Sequence, residues 1–259
     1  MLSLGDGIRI NKYEWQREGS VADFNFPEIR KDWVVRIDLG RPEEGNTLTR
    51  AMMRDLAEKI RSCASDPEVH VIVIEGRGPH FCRGRDGRGE STAGLAPHQV
   101  REQMMGAVLG VYAAINASPI PVVSLVHAPA VGFGAALAAG CDITLAAEDA
   151  TFAFSEIKHG IPPTLAMAAV MKKVPQKALA WLIYSGADVS ARDGIAIGLV
   201  SKTFSQATFA DEAETFLKEL ASRTRLNLET IKKFMLIAQD MSAAQQSEYA
   251  GTLLALVRS

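Results

Sequence analysis

The chain has 259 residues, of which 47% are hydrophobic and 22% charged, and its formal net charge is −2. This composition predicts a soluble globular protein with one sizeable core and an appendage, and the small net charge gives no signature of a nucleic-acid or membrane partner. The three cysteines are widely spaced, which favours reduced thiols in a cytoplasmic protein over disulfides or a metal site. Residues 1–20 have no apolar segment of the kind found in secretory signals.

The first third of the chain predicts alternating strands and helices. Residues 1–30 form an extension in which residues 8–15 alternate weakly, as an edge strand would. Residues 33–39 and 69–74 are apolar and β-branched, which predicts two strands. Between them, Thr47 or Thr49 is expected to cap a helix that runs to about residue 62.

A polar loop rich in glycine and arginine follows the second strand, at residues 76–89. It is either a solvated surface turn or a flexible loop whose N–H groups and guanidinium groups bind phosphate. The spacing of the residues leaves both interpretations open. A helix with one apolar face is predicted next, over residues 97–117.

The stretch 118–163 organises the rest of the chain. It predicts a strand at 122–126, a turn at Gly132-Phe133-Gly134, a short helix of small residues and two further extended segments, after which comes Glu156. A glycine turn at a helix N-terminus presents free N–H groups to a developing negative charge. A carboxylate nearby could move a proton, so this stretch indicates chemistry at a polarised carbonyl. The two glycines do not complete a dinucleotide-binding G-x-G-x-x-G motif, because the third small position is Leu137.

The last third of the chain predicts mainly helices. A serine at position 190 is typical of a helix start, and residues 199–204 are extended. The helices are expected at residues 165–174, 176–184, 190–198, 209–222, 228–239 and 243–257. The order of elements therefore predicts an α/β fold with a helical C-terminal region.

Five segments, in order along the chain, together resemble motifs of the crotonase (enoyl-CoA hydratase/isomerase) superfamily. They are residues 33–42, 81–86, 121–142, 152–160 and 185–200. The resemblance implies a crotonase-like ββα spiral core over residues 31–204, with the CoA and active sites, and a C-terminal helical trimerisation region over residues 205–259. It also implies an acyl-CoA thioester substrate, no permanently bound cofactor, no metal, and a homotrimer or dimer of trimers.

The same resemblance assigns roles to individual residues. The backbone N–H groups of Arg85 and Phe133 would form an oxyanion hole for the thioester oxygen, with Gly132 and Gly134 forming the glycine turn. Glu156 would be the base that transfers a proton. Three residues of the polar loop would contact coenzyme A: Arg83, Gly84 and Arg88.

This chain departs from the family pattern at Ala136, where hydratases have a second glutamate. A double-bond shift can proceed with one carboxylate, whereas hydration is helped by two, so hydration and isomerisation both stay open. His159 is the first candidate for a substitute acid–base group. The sequence also ends before the family's last helix, so the CoA site is expected to be open there or completed by a neighbouring subunit.

Other polar residues near these motifs have simpler interpretations. His127 is expected to be a hydrogen-bonded loop residue, Cys141 a core residue and Asp142 an acceptor of backbone hydrogen bonds, while His80 is a weaker candidate for ligand contact. The leading hypothesis is an enoyl-CoA hydratase/isomerase-like enzyme. The alternatives are a non-catalytic acyl-CoA-binding or assembly subunit, and a decarboxylase or thioester hydrolase of the same family.

Overall fold

The structure is a computed structural model, and it describes residues 24–258. The predicted edge strand at residues 8–15 lies outside the described residues. The last part of the predicted extension contains a strand, Glu28–Lys31.

The described strands form two sheets, and the larger sheet carries the core. The strands are β1 (Glu28–Lys31), β2 (Val34–Asp38), β3 (Val71–Glu75), β4 (Val122–Val126), β5 (Ala130–Val131), β6 (Ile143–Ala147), β7 (Thr151–Ala153), β8 (Val189–Ser190) and β9 (Lys202–Phe204). The six-stranded sheet has the order β1-β2-β3-β4-β6-β9, and the three-stranded sheet has the order β5-β7-β8. The α/β prediction is thereby confirmed.

The helices follow the predicted order, with short turns between them. They are α1 (Arg50–Ser65), α2 (Pro97–Gln99), α3 (Gly106–Ala117), α4 (Phe133–Gly140), α5 (Thr164–Val170), α6 (Gln176–Ser185), α7 (Ala191–Ala196), α8 (Phe209–Ala221), α9 (Arg225–Ala238) and α10 (Ala243–Arg258). Two 3₁₀ turns, at Pro42–Glu44 and Ser155–His159, and a π-helical turn at Val100–Met105 complete the list.

Strands β2, β3, β4, β6 and β9 run parallel, whereas β1 pairs antiparallel with β2. The β1–β2 hairpin turns at Asp32 and Trp33, whose φ angles are 50° and 63°, as a two-residue primed turn requires. The central parallel strands are covered on both faces, which explains why they are continuous β-branched runs and do not alternate with polar residues.

Alternate residues of β3 show how the two faces of the large sheet are covered. Ile72 and Ile74 belong to the main core with α1, α3 and α4, whereas Val71 and Val73 belong to a second core with α8. Because side chains of a strand alternate between faces, the sheet lies between these two helical layers. Helix α8 thus packs on the sheet although it lies after residue 205. The domain boundary predicted between residues 204 and 205, and the trimerisation role of the C-terminal region, stay predictions.

Three predicted helices differ in detail from the observed ones. Thr49, not Thr47, caps α1, since its hydroxyl accepts from the N–H of Met52, and α1 continues beyond the predicted end. The single helix predicted over residues 97–117 is interrupted by the π-helical turn between α2 and α3. Helix α5 ends at Val170, before the predicted 174, and the chain continues in turns as far as Pro175.

Candidate active site

The glycine–arginine loop and the central stretch meet at Gly84 and Phe133. A Cβ atom placed on Gly84 would lie 3.6 Å from the backbone nitrogen of Phe133 and 3.1 Å from the carbonyl oxygen of Val131. Only a glycine allows the two backbones to approach this closely, and its φ of 109° also requires glycine. The backbone nitrogens of Arg85 and Phe133 therefore belong to one small region.

The Arg85 N–H group is left available by the way its loop is anchored. Leu48 N–H donates to the carbonyl of Gly84 at 3.1 Å, and Asp86 N–H donates to the carbonyl of Leu48 at 2.8 Å. These two hydrogen bonds use the carbonyl of Gly84 and the N–H group of Asp86, on either side of Arg85, and they hold the loop against the segment before α1. Phe133 is the first residue of α4, where N–H groups have no partner within the helix.

Gly132 brings the carboxylate of Glu156 to the same region. A Cβ atom on Gly132 would lie 3.2 Å from Oε1 of Glu156, so the carboxylate rests against the Cα of Gly132. Gly134 is equally constrained, because a Cβ atom there would collide with the carbonyl oxygen of Cys82. The glycine turn predicted from the sequence thus admits both the loop and the carboxylate because its two glycines lack side chains.

Glu156 lies in the 3₁₀ turn Ser155–His159, and its Oε2 atom is buried without a hydrogen-bond partner in the described part of the chain. Burial is the main cause that raises the pKa of Glu156; a hydrogen bond from its own backbone N–H and the charge of His159 act in the opposite direction. A desolvated carboxylate with a raised pKa is a better proton acceptor than an exposed one. His159 itself is exposed at the end of the turn.

Three of the four loop arginines form ion pairs, and Arg77 does so with Asp38. Arg88 binds Asp86 through two hydrogen bonds, Nε to Oδ1 at 2.9 Å and Nη2 to Oδ2 at 2.7 Å, and these bonds are the main reason that the pKa of Asp86 is lowered. Arg85 Nη1 lies 3.3 Å from Oε2 of Glu90. Arg83 is exposed and has no ion pair with a residue in the range 24–258, so its guanidinium is free to meet a phosphate.

The position at which the family pattern has a second glutamate is occupied here by an alanine, whose side chain is a methyl group. Ala136 is fully buried in α4, and no acidic side chain can act from there. A polar group that the sequence analysis did not single out, the phenol of Tyr112, belongs to a residue that contacts Phe133. Its ring stacks on that of Phe133, with centroids 6.0 Å apart. The sequence could have indicated this residue as a tyrosine on the apolar face of the helix predicted over residues 97–117.

The remaining candidates are mainly structural. Asp142 accepts from the N–H of Val122 at 2.8 Å, as predicted, and Cys141 is buried, as predicted. The ring of His127 contacts the carbonyl of Gly78 at 2.8 Å, also as predicted. The pKa of His80 is lowered, first by burial and then by the charges of Arg83 and His127.

Two surface clefts, of about 370 and 390 Å³, lie away from Glu156. One is lined by the β1–β2 hairpin and α8, and the other by the end of α3 with α9 and α10. Residues 24–258 hold no cluster of three His, Cys, Asp or Glu side chains suited to a metal ion. None of the helices in that range is long and apolar enough to cross a membrane.

Comparison with known proteins links these features to one family. The family model described as enoyl-CoA hydratase/isomerase matches residues 30–257. A Danio rerio protein named enoyl-CoA hydratase domain-containing protein 3, mitochondrial, is 30% identical over 83% of this chain and 73% of its own length. A putative enoyl-CoA hydratase of Thermus thermophilus is 28% identical over 89% of this chain and 91% of its own. The crystal structure of an enoyl-CoA hydratase from Mycobacterium smegmatis superimposes with a TM-score of 0.83 at 29% identity, over 89% of this chain and 90% of that one.

Proposed function

Because this chain belongs to the enoyl-CoA hydratase/isomerase family, we propose that it binds an acyl-CoA thioester and catalyses proton transfer on the acyl group through an enolate. The observation that supports the proposal is a pair of close approaches: Gly84, which precedes Arg85, lies near the backbone nitrogen of Phe133, and the Glu156 carboxylate lies against Gly132. The crotonase-like fold predicted from the sequence is shared with the solved hydratase structure, and it supports the same conclusion.

The two N–H groups would bind the thioester oxygen and stabilise the negative charge that develops on it. Both are backbone groups, so the unusual arginine and phenylalanine side chains leave the donors in place. Loss of one donor of this kind typically raises the barrier by about 3 kcal/mol. The N-terminus of α4 adds a favourable dipole at Phe133.

Glu156 would be the base in either of two reactions. In isomerisation it takes a proton from C2 of a 3-enoyl thioester and returns it to C4, so the double bond moves to C2=C3. In hydration a water oxygen bonds to C3 while its proton passes to Glu156, and a proton is then delivered to C2. Each reaction passes through a thioester enolate, a dienolate in isomerisation and a 3-hydroxy enolate in hydration, and the buried carboxylate with its raised pKa suits both.

We propose that the coenzyme A moiety lies along the glycine–arginine loop. Arg83, which has no ion pair among the described residues, is the first candidate for its phosphates, and Gly84 lets the loop approach the ligand. Arg88 would have to exchange its bonds with Asp86 for a phosphate. We also propose assembly as a trimer or a dimer of trimers. The cytoplasmic location stays a prediction, since the Danio rerio relative is named as mitochondrial.

The test is mass spectrometry of 2-enoyl-CoA and 3-enoyl-CoA esters incubated with the protein in H₂¹⁸O. Labelled 3-hydroxyacyl-CoA would identify a hydratase, and a shifted double bond without the label would identify an isomerase. Either activity should be lost in Glu156→Gln, which keeps the size of the side chain and removes its charge.

A second candidate function is supported by one observation, the methyl group at Ala136. A non-catalytic acyl-CoA-binding subunit would need the N–H groups and no second carboxylate. Binding of the CoA esters without turnover across the whole panel would favour this candidate over the enzyme. Turnover that disappears in Glu156→Gln would exclude it.

A further inference from the structure

Tyr112 places a buried polar group beside the candidate active site. It lies on α3, its side chain is only 6% exposed, and its hydroxyl has no hydrogen-bond partner in the part of the chain that the structure describes. Buried tyrosine hydroxyls usually find a partner, because an unpaired polar group destabilises the folded state. The exception therefore needs a physical explanation.

The position of the ring connects Tyr112 to the reacting groups. It stacks on Phe133 at 6.0 Å with an interplanar angle of 24°, and Phe133 follows Gly132, against which the Glu156 carboxylate rests. The negative charge of Glu156 also acts on the phenol: after burial, it is the next cause that raises the pKa of Tyr112. The phenol and the carboxylate thus both lie beside the segment Gly132-Phe133.

Two buried atoms, the Tyr112 hydroxyl and Oε2 of Glu156, have no hydrogen-bond partner within residues 24–258. A phenol and a carboxylate form a strong hydrogen bond when they are in direct contact. These two are electrostatically coupled but not bonded to each other. An oxygen atom that accepts from the phenol and donates to the carboxylate would satisfy both.

We infer that Tyr112 is a second polar residue of this site, whose hydroxyl donates a hydrogen bond to an oxygen at C3 of the acyl group while Glu156 accepts from the same oxygen. The inference rests on the proposed function and deepens it. It gives the site two polar groups despite the alanine at position 136, and it replaces exposed His159 as the candidate for the second group. The expected ligand class is 3-hydroxyacyl-CoA and the corresponding 2-enoyl-CoA with water.

These two groups are sufficient for the addition of water to the C2=C3 double bond, because each proton that is removed is also returned. Tyr112 holds the water and Glu156 takes one of its protons, as the oxygen bonds to C3 and the C2=C3 electrons form the enolate. Glu156 then gives the proton to C2, which regenerates the carboxylate. Tyr112 stays neutral throughout, as expected for a buried phenol.

The experiment measures the affinities of butyryl-CoA and 3-hydroxybutyryl-CoA by calorimetry, for the unchanged protein, Tyr112→Phe and Tyr249→Phe. Tyr249 is a matched control, because its hydroxyl is also buried and unpaired and its ring stacks on Phe234 at 5.9 Å, in the C-terminal helices. We expect Tyr112→Phe to reduce the preference for the hydroxy ester by about tenfold and to leave butyryl-CoA binding within about twofold. Tyr249→Phe should retain the full preference.

Other outcomes overturn the inference in distinguishable ways. An unchanged preference in Tyr112→Phe, or an equal loss of affinity for both esters, would show that the hydroxyl does not contact the C3 oxygen. Failure of both esters to bind the unchanged protein would overturn the proposed function, and the inference with it. Since the hydroxyl has no hydrogen-bond partner within residues 24–258, Tyr112→Phe should keep or raise the melting temperature, which a thermal scan of each variant checks.

Discussion

At the scale of single residues, the site depends on glycines, which have no side chain where other groups approach the backbone closely. Gly132 has φ of 56° and ψ of −121°, a backbone conformation that other residues rarely adopt, and a Cβ atom there would lie only 3.2 Å from Oε1 of Glu156. A side chain at position 132 would therefore strain the backbone and push on the carboxylate.

We expect Gly132→Ala to lower the free energy of unfolding by about 1–3 kcal/mol and to displace Glu156 from the N–H groups. Urea unfolding measures the first effect and turnover of an accepted CoA ester the second. Gly110→Ala is the control, because a Cβ atom on Gly110, inside α3, has no neighbour within 4 Å. The control should be neutral or stabilise by up to about 1 kcal/mol. Equal effects of the two substitutions would contradict this account of Gly132.

The raised pKa of Glu156 predicts a pH dependence of stability. The carboxyl group of Glu156 binds its proton more tightly in the folded protein than in the unfolded chain. The contribution of Glu156 to stability is therefore lost as pH rises from about 4.5 through the higher pKa of the folded state. We expect Glu156→Gln to become progressively more stable relative to the unchanged protein as pH rises through this range. Urea titrations between pH 4 and pH 8 measure the difference; a difference that is independent of pH, or of opposite slope, would contradict the burial argument.

At the scale of elements, a buried lysine attaches the C-terminal helices to the core. Lys232 of α9 is 1% exposed and donates to the carbonyls of Ile115 and Ile120, at 2.9 and 3.0 Å, and to Oδ2 of Asp142 at 2.7 Å. The same Asp142 oxygen accepts from the N–H of Val122. One carboxylate thus links α9 to the strand that leads into the glycine turn.

Lys232→Met should lower the free energy of unfolding by about 3–5 kcal/mol, because it leaves Asp142 buried and without its charge partner. Lys233→Met, on the neighbouring exposed residue, should change it by less than about 0.5 kcal/mol. Chemical unfolding of both variants tests the difference. Similar values for the two would show that the buried ion pair does not attach α9.

The elements also show which features of the fold could be predicted from the sequence alone. The strands at β3 and β4, the Thr49 cap and the position of Glu156 after β7 follow from local patterns that the structure confirms. The π-helical turn at Val100–Met105 does not, because the apolar residues at 100, 104, 108, 111 and 115 keep the spacing of three and four residues that an uninterrupted α-helix would show. The pairing of loop arginines with Asp86 and Glu90 was also not predictable, since it depends on how the loop folds back.

At the scale of the whole molecule, the C-terminal helices expose an apolar surface. Ile231 and Met235, one turn apart on α9, are 56% and 50% exposed, and Leu254 of α10 is 55% exposed. Exposed apolar surface of this kind is typical of a contact between chains. It supports the prediction that this region joins subunits.

We expect light scattering to give a mass three or six times the 27.9 kDa of one chain. The double substitution Ile231→Lys and Met235→Lys should lower the mass towards that of one chain, because it places charges in the apolar contact. Lys233→Glu, also a charge change but on another side of α9, should leave the mass unchanged. A monomeric unchanged protein, or an assembly that survives the double substitution, would contradict the predicted contact.

The sequence by itself determined the family, the order of strands and helices, and the residues that carry the proposed chemistry, because these depend on local patterns and on motifs in a fixed order. Only the tertiary structure decided which backbone groups meet: that the loop at Gly84 touches Phe133 and that the Glu156 carboxylate rests on Gly132. It alone stacked the ring of Tyr112 on that of Phe133, although α3 lies far from Glu156 along the chain. The reason is physical, since burial, desolvation and unpaired polar atoms are properties of the packed chain and have no local signal in the sequence.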